Sequence, residues 1–234
     1  MDIFSNNKLS LDPNHCNYVA NIDINNVNQI RDLGVEVDSK LKFTAHISKI
    51  VSTAKQRTSL LFRAFLTRET KYLIIGYKSY ILPLVEYCSP IWSPHTVCDI
   101  FLLESVQRKF TKRIPGLEYM SYEDMLKTLN MITLECRRLH FDLVFCYKLL
   151  NGHIGSALEN FGLVLSTRQS RGNSFKLVID NFRIDAPKYF FSSRICEPWN
   201  SLPESVVLID SVKAFKRQLF TLDFNKFLLF KSSF

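Results

Sequence analysis

Apolar residues return at helical spacing over residues 44–66. Ile47, Ile50, Val51, Ala54, Thr58, Leu61, Phe62 and Phe65 fall within an arc of about 120°, and Lys49, Lys55, Arg57 and Arg63 occupy the rest of the circle. Thr67 is placed to cap a second helix over 68–82, which Pro83 kinks or ends; Pro90 and Pro94 then mark a turn around Trp92. A third helix is predicted from Thr96 to Pro115-Gly116. On it, Ile100, Leu103, Phe110 and Ile114 gather on one side and Arg108, Lys109, Lys112 and Arg113 on the other. Ser121 caps a short fourth helix ending near Asn130. Thr133 caps a fifth that stops at Asn151-Gly152, with Cys136, Leu139, Leu143, Cys146 and Leu150 on its inner face.

The flanks read differently. Residues 1–42 are polar and Asn-rich as far as Val27, then alternate over Ile30–Asp38 as a strand with a bulge at Gly34. Residues 153–173 read as loop. A hairpin is expected from Ser174–Ile179 and Phe182–Ile184 around Asp180-Asn181, and short helices over Lys188–Glu197 and Ser211–Phe220, the latter basic through Lys213, Lys216 and Arg217. The fold class is therefore mainly α. A helical bundle over 43–152 follows a short N-terminal β segment (1–42) and precedes a small α+β tail (153–234).

Composition adds three constraints. With 234 residues and 47% hydrophobic content, a sizeable core can form and wholesale disorder is excluded. Seven glycines are too few for folds built on many tight turns or glycine-rich phosphate loops. The net charge of +8 suits an anionic partner, and it concentrates in the bundle, where residues 43–120 hold 11 Lys and Arg against 5 Asp and Glu. The six cysteines show no metal-finger or disulfide spacing, which points to free thiols. There is no basic-then-apolar leader at Met1. The most apolar stretch, Tyr72–Trp92, is broken by Lys78, Pro83 and Glu86, so neither secretion nor a membrane span is expected. The expected location is intracellular, nucleus or cytoplasm.

Catalytic signatures are missing. No phosphate-loop, dinucleotide, nucleophile-elbow or zinc-protease motif occurs, and the five histidines never pair at ligand spacing. His46, beside Ile47 at a helix start, reads as a structural histidine. Tyr122-Glu123-Asp124-Met125 faintly resembles a polymerase Tyr-x-Asp-Asp, but Ser121-x-x-Asp124 is better read as a helix cap. The rings of Tyr72, Tyr77, Tyr80, Tyr87 and Trp92 could stack on bases; their apolar neighbours assign them to the core. The cations Arg108, Lys109, Lys112 and Arg113 fit either phosphate tracking or an ordinary solvated helix end.

Five blocks in order carry a resemblance. They are Asp32-Leu33-Gly34-Val35 with Asp38-x-x-Leu41-x-Phe43-x-x-His46-Ile47; Tyr77-Lys78-Ser79 through Pro83-Leu84-Val85-Glu86-Tyr87 to Trp92-Ser93-Pro94; and Leu103-Glu104-x-Val106-Gln107-Arg108-Lys109-Phe110-Thr111-Lys112-Arg113. Next come Ser121-Tyr122-Glu123 with Leu134-Glu135-x-Arg137-Arg138 and Tyr147-Lys148-Leu149-Leu150-Asn151-Gly152, then Phe191-x-x-Arg194 with Trp199-Asn200-Ser201-Leu202-Pro203-Glu204. From about residue 16 to 220 the chain resembles the C-terminal part of jockey-type non-LTR (LINE-class) retrotransposon reverse transcriptases. It departs from them at Leu82, where a basic residue is common, and at Thr167–Gly172, longer than the usual Thr-Arg-Gly loop.

The resemblance implies a palm remnant over 1–42, a thumb-like bundle over 43–152 and a tail beyond. The intact family enzyme copies RNA into DNA with palm aspartates and Mg²⁺ and carries an endonuclease; the match begins after the palm aspartates, so no catalysis and no cofactor are expected of this chain itself. What carries over is a thumb-like grip on an RNA–DNA duplex through backbone contacts. The expected phosphate contacts are Lys55, Arg57, Arg63, Lys78, Arg108, Lys109, Lys112 and Arg113. The alternatives are a helical protein–protein interaction module, self-associating through exposed apolar surface, and a non-functional relic of a mobile element.

Overall fold

A computed structural model of the chain describes residues 18–19, 22–23, 28–166, 175–179 and 190–230. The protein is mainly helical, with two short antiparallel strand pairs at its N-terminal side. The strand pairs are β1 (Tyr18–Val19) with β2 (Ile22–Asp23), and β3 (Gln29–Asp32) with β4 (Val35–Asp38). The expected single strand over Ile30–Asp38 is thus a hairpin. Leu33 and Gly34 both hold positive φ, 44° and 90°, which makes a tight two-residue turn rather than a bulge.

Helix α1 (Thr44–Ala64) buries the predicted stripe, with Ile47, Val51, Ala54, Thr58, Leu61 and Phe62 inside. The next helical stretch departs from expectation. Thr67 Oγ1 accepts from the Glu69 N–H, so it closes a turn before the helix rather than capping it. The chain then winds as α2 (Thr70–Gly76), a π turn over Tyr77–Ile81, and α3 (Leu82–Glu86). Pro83 lacks an N–H and its ring would collide with the carbonyl four residues back. The wider π turn, in which the Leu82 N–H reaches the Tyr77 carbonyl, lets the helix pass through the proline instead of ending at it.

A short α4 (Ser89–Trp92) buries Trp92 completely; its Nε1–H donates to the Tyr87 carbonyl at 2.7 Å. Helices α5 (Val97–Thr111), α6 (Tyr122–Thr128) and α7 (Leu134–Leu150) start at Thr96, Ser121 and Thr133, and each of these side chains accepts an N–H three residues on. In the tail, a 3₁₀ turn at 158–161 precedes α8 (Phe191–Asn200), α9 (Glu204–Val207) and α10 (Val212–Leu219), and another at 225–227 follows them. Residues 175–179, the first arm of the expected hairpin, are held against Leu165 and Asn200. Leu177 bridges antiparallel to Leu165, and Asn200 clamps Leu177 by donating to its carbonyl and accepting its N–H, both at 2.8 Å. The expected partner, Phe182–Ile184, lies outside the described residues.

Two apolar cores result. The first joins β4, α1 through α6 and Leu134; the second joins Leu143–Leu149 of α7 to the tail around Trp199 and Phe215. The packing therefore divides along α7, and the tail shares that helix's C-terminal half. Helices α1 and α5 lie side by side in the same direction. Thr44 Oγ1 donates to Asp99 Oδ2 at 3.0 Å where they begin, and Phe62 meets Phe110 at 5.7 Å where they end. No helix among the described residues is long and apolar enough to cross a membrane.

Candidate nucleic-acid interface

The parallel course of α1 and α5 brings two helix C-termini to one end of the bundle. Arg63, Lys109, Lys112 and Arg113 are exposed there, and Arg108 beside them. Arg113 lies over the Phe62 ring at 4.2 Å, and Arg68 reaches the same ring at 5.6 Å. Arg68, outside the expected contacts, joins this end because the chain turns back after Phe65. Its adjacency to Phe62 is tertiary, so helical periodicity carried no sign of it.

The four cations of α5 do not share one continuous helical face. The helix ends at Thr111 rather than running on to Pro115, because the next amides bond three residues back: Arg113 to the Phe110 carbonyl and Ile114 to that of Thr111. Lys112 and Arg113 therefore stand on the tightened turn. Arg108 packs its guanidinium on Tyr122 at 4.5 Å and on Phe230 at 5.0 Å, towards α6 and the tail. None of the eight predicted cations forms a salt bridge among the described residues; the pairs there are Lys49–Glu36, Arg137–Glu86 and Arg194–Asp142.

The remaining three are dispersed. Lys55 is half-buried and Arg57 exposed, about 200° apart on α1. Arg57 donates to the Tyr80 carbonyl at 3.3 Å, and Lys78 is exposed on the π turn. Tyr80 and Tyr87 are 62% and 55% exposed and Tyr72 43%, whereas Tyr77 and Trp92 are fully buried. The assignment of all five rings to the core thus holds for two. The π turn rotates the helix so that Tyr77 faces inward and Tyr80 outward. Tyr80 and Tyr87 line a groove of about 570 Å³ between α1 and α3, with Arg31, Lys49 and Arg57 on its rim.

The signature residues between these surfaces face inward. The Tyr77 hydroxyl donates to Gln107 Oε1 at 3.1 Å, and Gln107 Nε2 donates to the Tyr122 hydroxyl at 3.0 Å and to the Ile132 carbonyl at 2.9 Å. Tyr122 in turn donates to Glu104, whose other oxygen accepts the Leu134 N–H at 3.0 Å at the start of α7. Burial pushes the Glu104 carboxyl up, against the pull of Tyr122, Arg138 and the α7 amides. Burial, then the Glu104 charge, push the Tyr122 hydroxyl far up as well, so it stays protonated and donating. Asp124 is a capping partner of Ser121, Oγ–Oδ2 2.6 Å, and His46 is buried, accepting the Glu36 N–H at 3.3 Å. Each side chain thus has a hydrogen-bond partner within the fold.

No family model matches the chain, and no solved structure does. An uncharacterised protein of Caenorhabditis elegans is similar to it: 25% identical over 169 residues, which cover 69% of this chain and 85% of the relative. Among the described residues, no group of three or more His, Cys, Asp or Glu side chains is arranged to hold a metal ion.

Proposed function

We propose that the chain binds an RNA–DNA duplex through its backbone, as a non-catalytic, thumb-like piece of a retrotransposon-derived reverse transcriptase. The observation that carries this reading is the basic end of the bundle. Arg63, Arg68, Lys109, Lys112 and Arg113 meet at the C-terminal ends of two parallel helices, exposed and without salt-bridge partners among the described residues. Cations so placed neutralise phosphates without reading bases. Compensation of the two helix dipoles accounts for Arg63 and Lys109 in the last turns of α1 and α5; Arg68, Lys112 and Arg113 lie beyond them.

The test is binding of the full chain to labelled RNA–DNA hybrids of unrelated sequence. Closely similar affinities, weakened alike by alanine at Lys109 and Lys112, support the reading. No binding at low salt refutes it.

One observation favours a second reading, a protein-docking module. Leu60, Leu66 and Ile75 are exposed, and an apolar hollow of about 560 Å³ lies among Leu60, Leu61, Ala64, Phe65, Arg57 and Tyr80. Sedimentation decides between them: a stable oligomer indifferent to added duplex supports docking, and a monomer that shifts only with duplex supports the first reading.

A further inference from the structure

A second polar cluster, on the far side of α7, is built unlike the Glu104 network. Arg194 forms a two-toothed pair with Asp142, Nε to Oδ2 2.8 Å and Nη2 to Oδ1 3.1 Å, and its Nη2 also donates to the Pro90 carbonyl at 2.6 Å. Glu135 Oε2 accepts the Leu229 and Phe230 amides at 3.0 and 2.9 Å. Glu197 is exposed and solvated. All three carboxylates line one cavity with Arg138, Arg194 and Lys226; Arg194 occupies Asp142, and two backbone amides occupy Glu135 Oε2.

Arg138 lies among them and is only 3% exposed, yet its Nη1 is buried with no hydrogen-bond partner among the described residues. A guanidinium stays charged, and an unpartnered buried nitrogen on it is costly. Burial lowers the Arg138 pKa from its ordinary value, against the pull of the nearby Glu104, Glu135 and Asp142 carboxylates.

Arg138 lines a cavity of about 460 Å³ bounded by α7, α8 and residues 226–229, within the range of small-molecule sites. Lys226 stands at the same cavity, exposed, and Leu139, Pro198 and Leu228 supply apolar wall. We propose that this cavity binds a small organic anion, with an oxyanion head taken by the Arg138 guanidinium and an apolar body against Leu139, Pro198 and Leu228. A planar guanidinium matches a phosphate or a carboxylate equally, and the cavity has room for a ring-sized body.

The test is calorimetric titration of the full chain with inorganic phosphate, phenyl phosphate and benzoate. Saturable binding of phenyl phosphate or benzoate is expected, with Kd of about 1 mM or tighter, and the tighter of the two names the head group. Inorganic phosphate should bind more weakly, having no body for the apolar wall. Arg138→Met, which keeps the side chain's bulk, should weaken binding about tenfold or more. Should that variant not fold, Lys226→Ala, at an exposed position, decides: a several-fold loss supports the site and unchanged affinity overturns it. Absence of saturable binding to the native chain, or equal binding by Arg138→Met, also overturns it.

Discussion

Between α5 and α7, four side chains close on one another. The Tyr77 hydroxyl, the Gln107 amide and the Tyr122 hydroxyl each hand a hydrogen to the next group, and the Glu104 carboxylate at the end of the row also takes the first amide of α7. Around the cavity between α7 and α8 the same kinds of groups leave one guanidinium nitrogen unanswered. The difference separates polar groups that hold a fold from polar groups available to a ligand. A closed network at full burial fixes which helix faces meet, because a partner pulled away leaves a costly orphan behind. An open one keeps recognition capacity in reserve. The cations at the ends of α1 and α5 are a third condition: exposed, without salt bridges among the described residues, and free to answer an outside charge.

Breaking the closed network should cost most. Glu104→Ala strands the Tyr122 hydroxyl and the Leu134 amide and leaves Arg138 without its neighbouring charge. A loss of about 3–5 kcal/mol in urea unfolding is expected. A loss below about 1 kcal/mol would show that the network is not what sets the α5–α7 contact.

The tail side can be tested by pH. His140 is buried against Phe220 and Phe224, at 5.0 and 5.5 Å, and its Nε2 lies 3.6 Å from Cys136 Sγ. Burial first, and then Arg137, lower its pKa from 6.5 to about 4. Between these values the unfolded chain takes up the proton and the folded one does not. Its stabilising effect is therefore complete above pH 6.5 and falls as pH drops towards 4, by at most about 3 kcal/mol. Unfolding midpoints across that range should decline in the native chain, and His140→Gln should flatten the decline.

Arg194→Met sharpens the contrast from the other cluster. It uncovers Asp142 and the Pro90 carbonyl, and a loss of about 2 kcal/mol is expected because the pair is partly solvated. The smallest effect on stability belongs to the surface: Lys109→Ala and Lys112→Ala should each stay within about 0.5 kcal/mol of the native chain in the same unfolding assay.

How much of this was legible depends on range. The caps Ser121 and Thr133 act within three residues and stood in the sequence, as did the helix start at Thr96 and the buried stripe of α1. The π turn did not, because a proline inside an apolar run reads as a stop unless the surrounding core holds the helix together. Nor did the Leu33-Gly34 turn, since leucine is a poor resident of positive φ and tertiary contact must hold it; the Tyr87 hydroxyl donates to its carbonyl at 3.0 Å. Of the candidate cations, those near the ends of α1 and α5 converge through the parallel packing of two helices far apart in sequence. Lys55, Arg57 and Lys78 do not join them, and Arg68 does. Glu104, Gln107 and Tyr122 were visible as signature residues, but only the packing shows that they answer one another.

The most direct test of the central claim is fluorescence anisotropy of a labelled RNA–DNA hybrid titrated from 50 to 200 mM salt, with the native chain and with Arg63→Ala/Lys109→Ala/Lys112→Ala, conditions and slopes of the order set by counterion release. The account predicts log K falling steeply with log salt for the native chain and a slope shallower by about 2–3 for the triple variant, with its unfolding midpoint nearly unchanged. Binding that ignores salt, or a triple variant with the native slope, would contradict it.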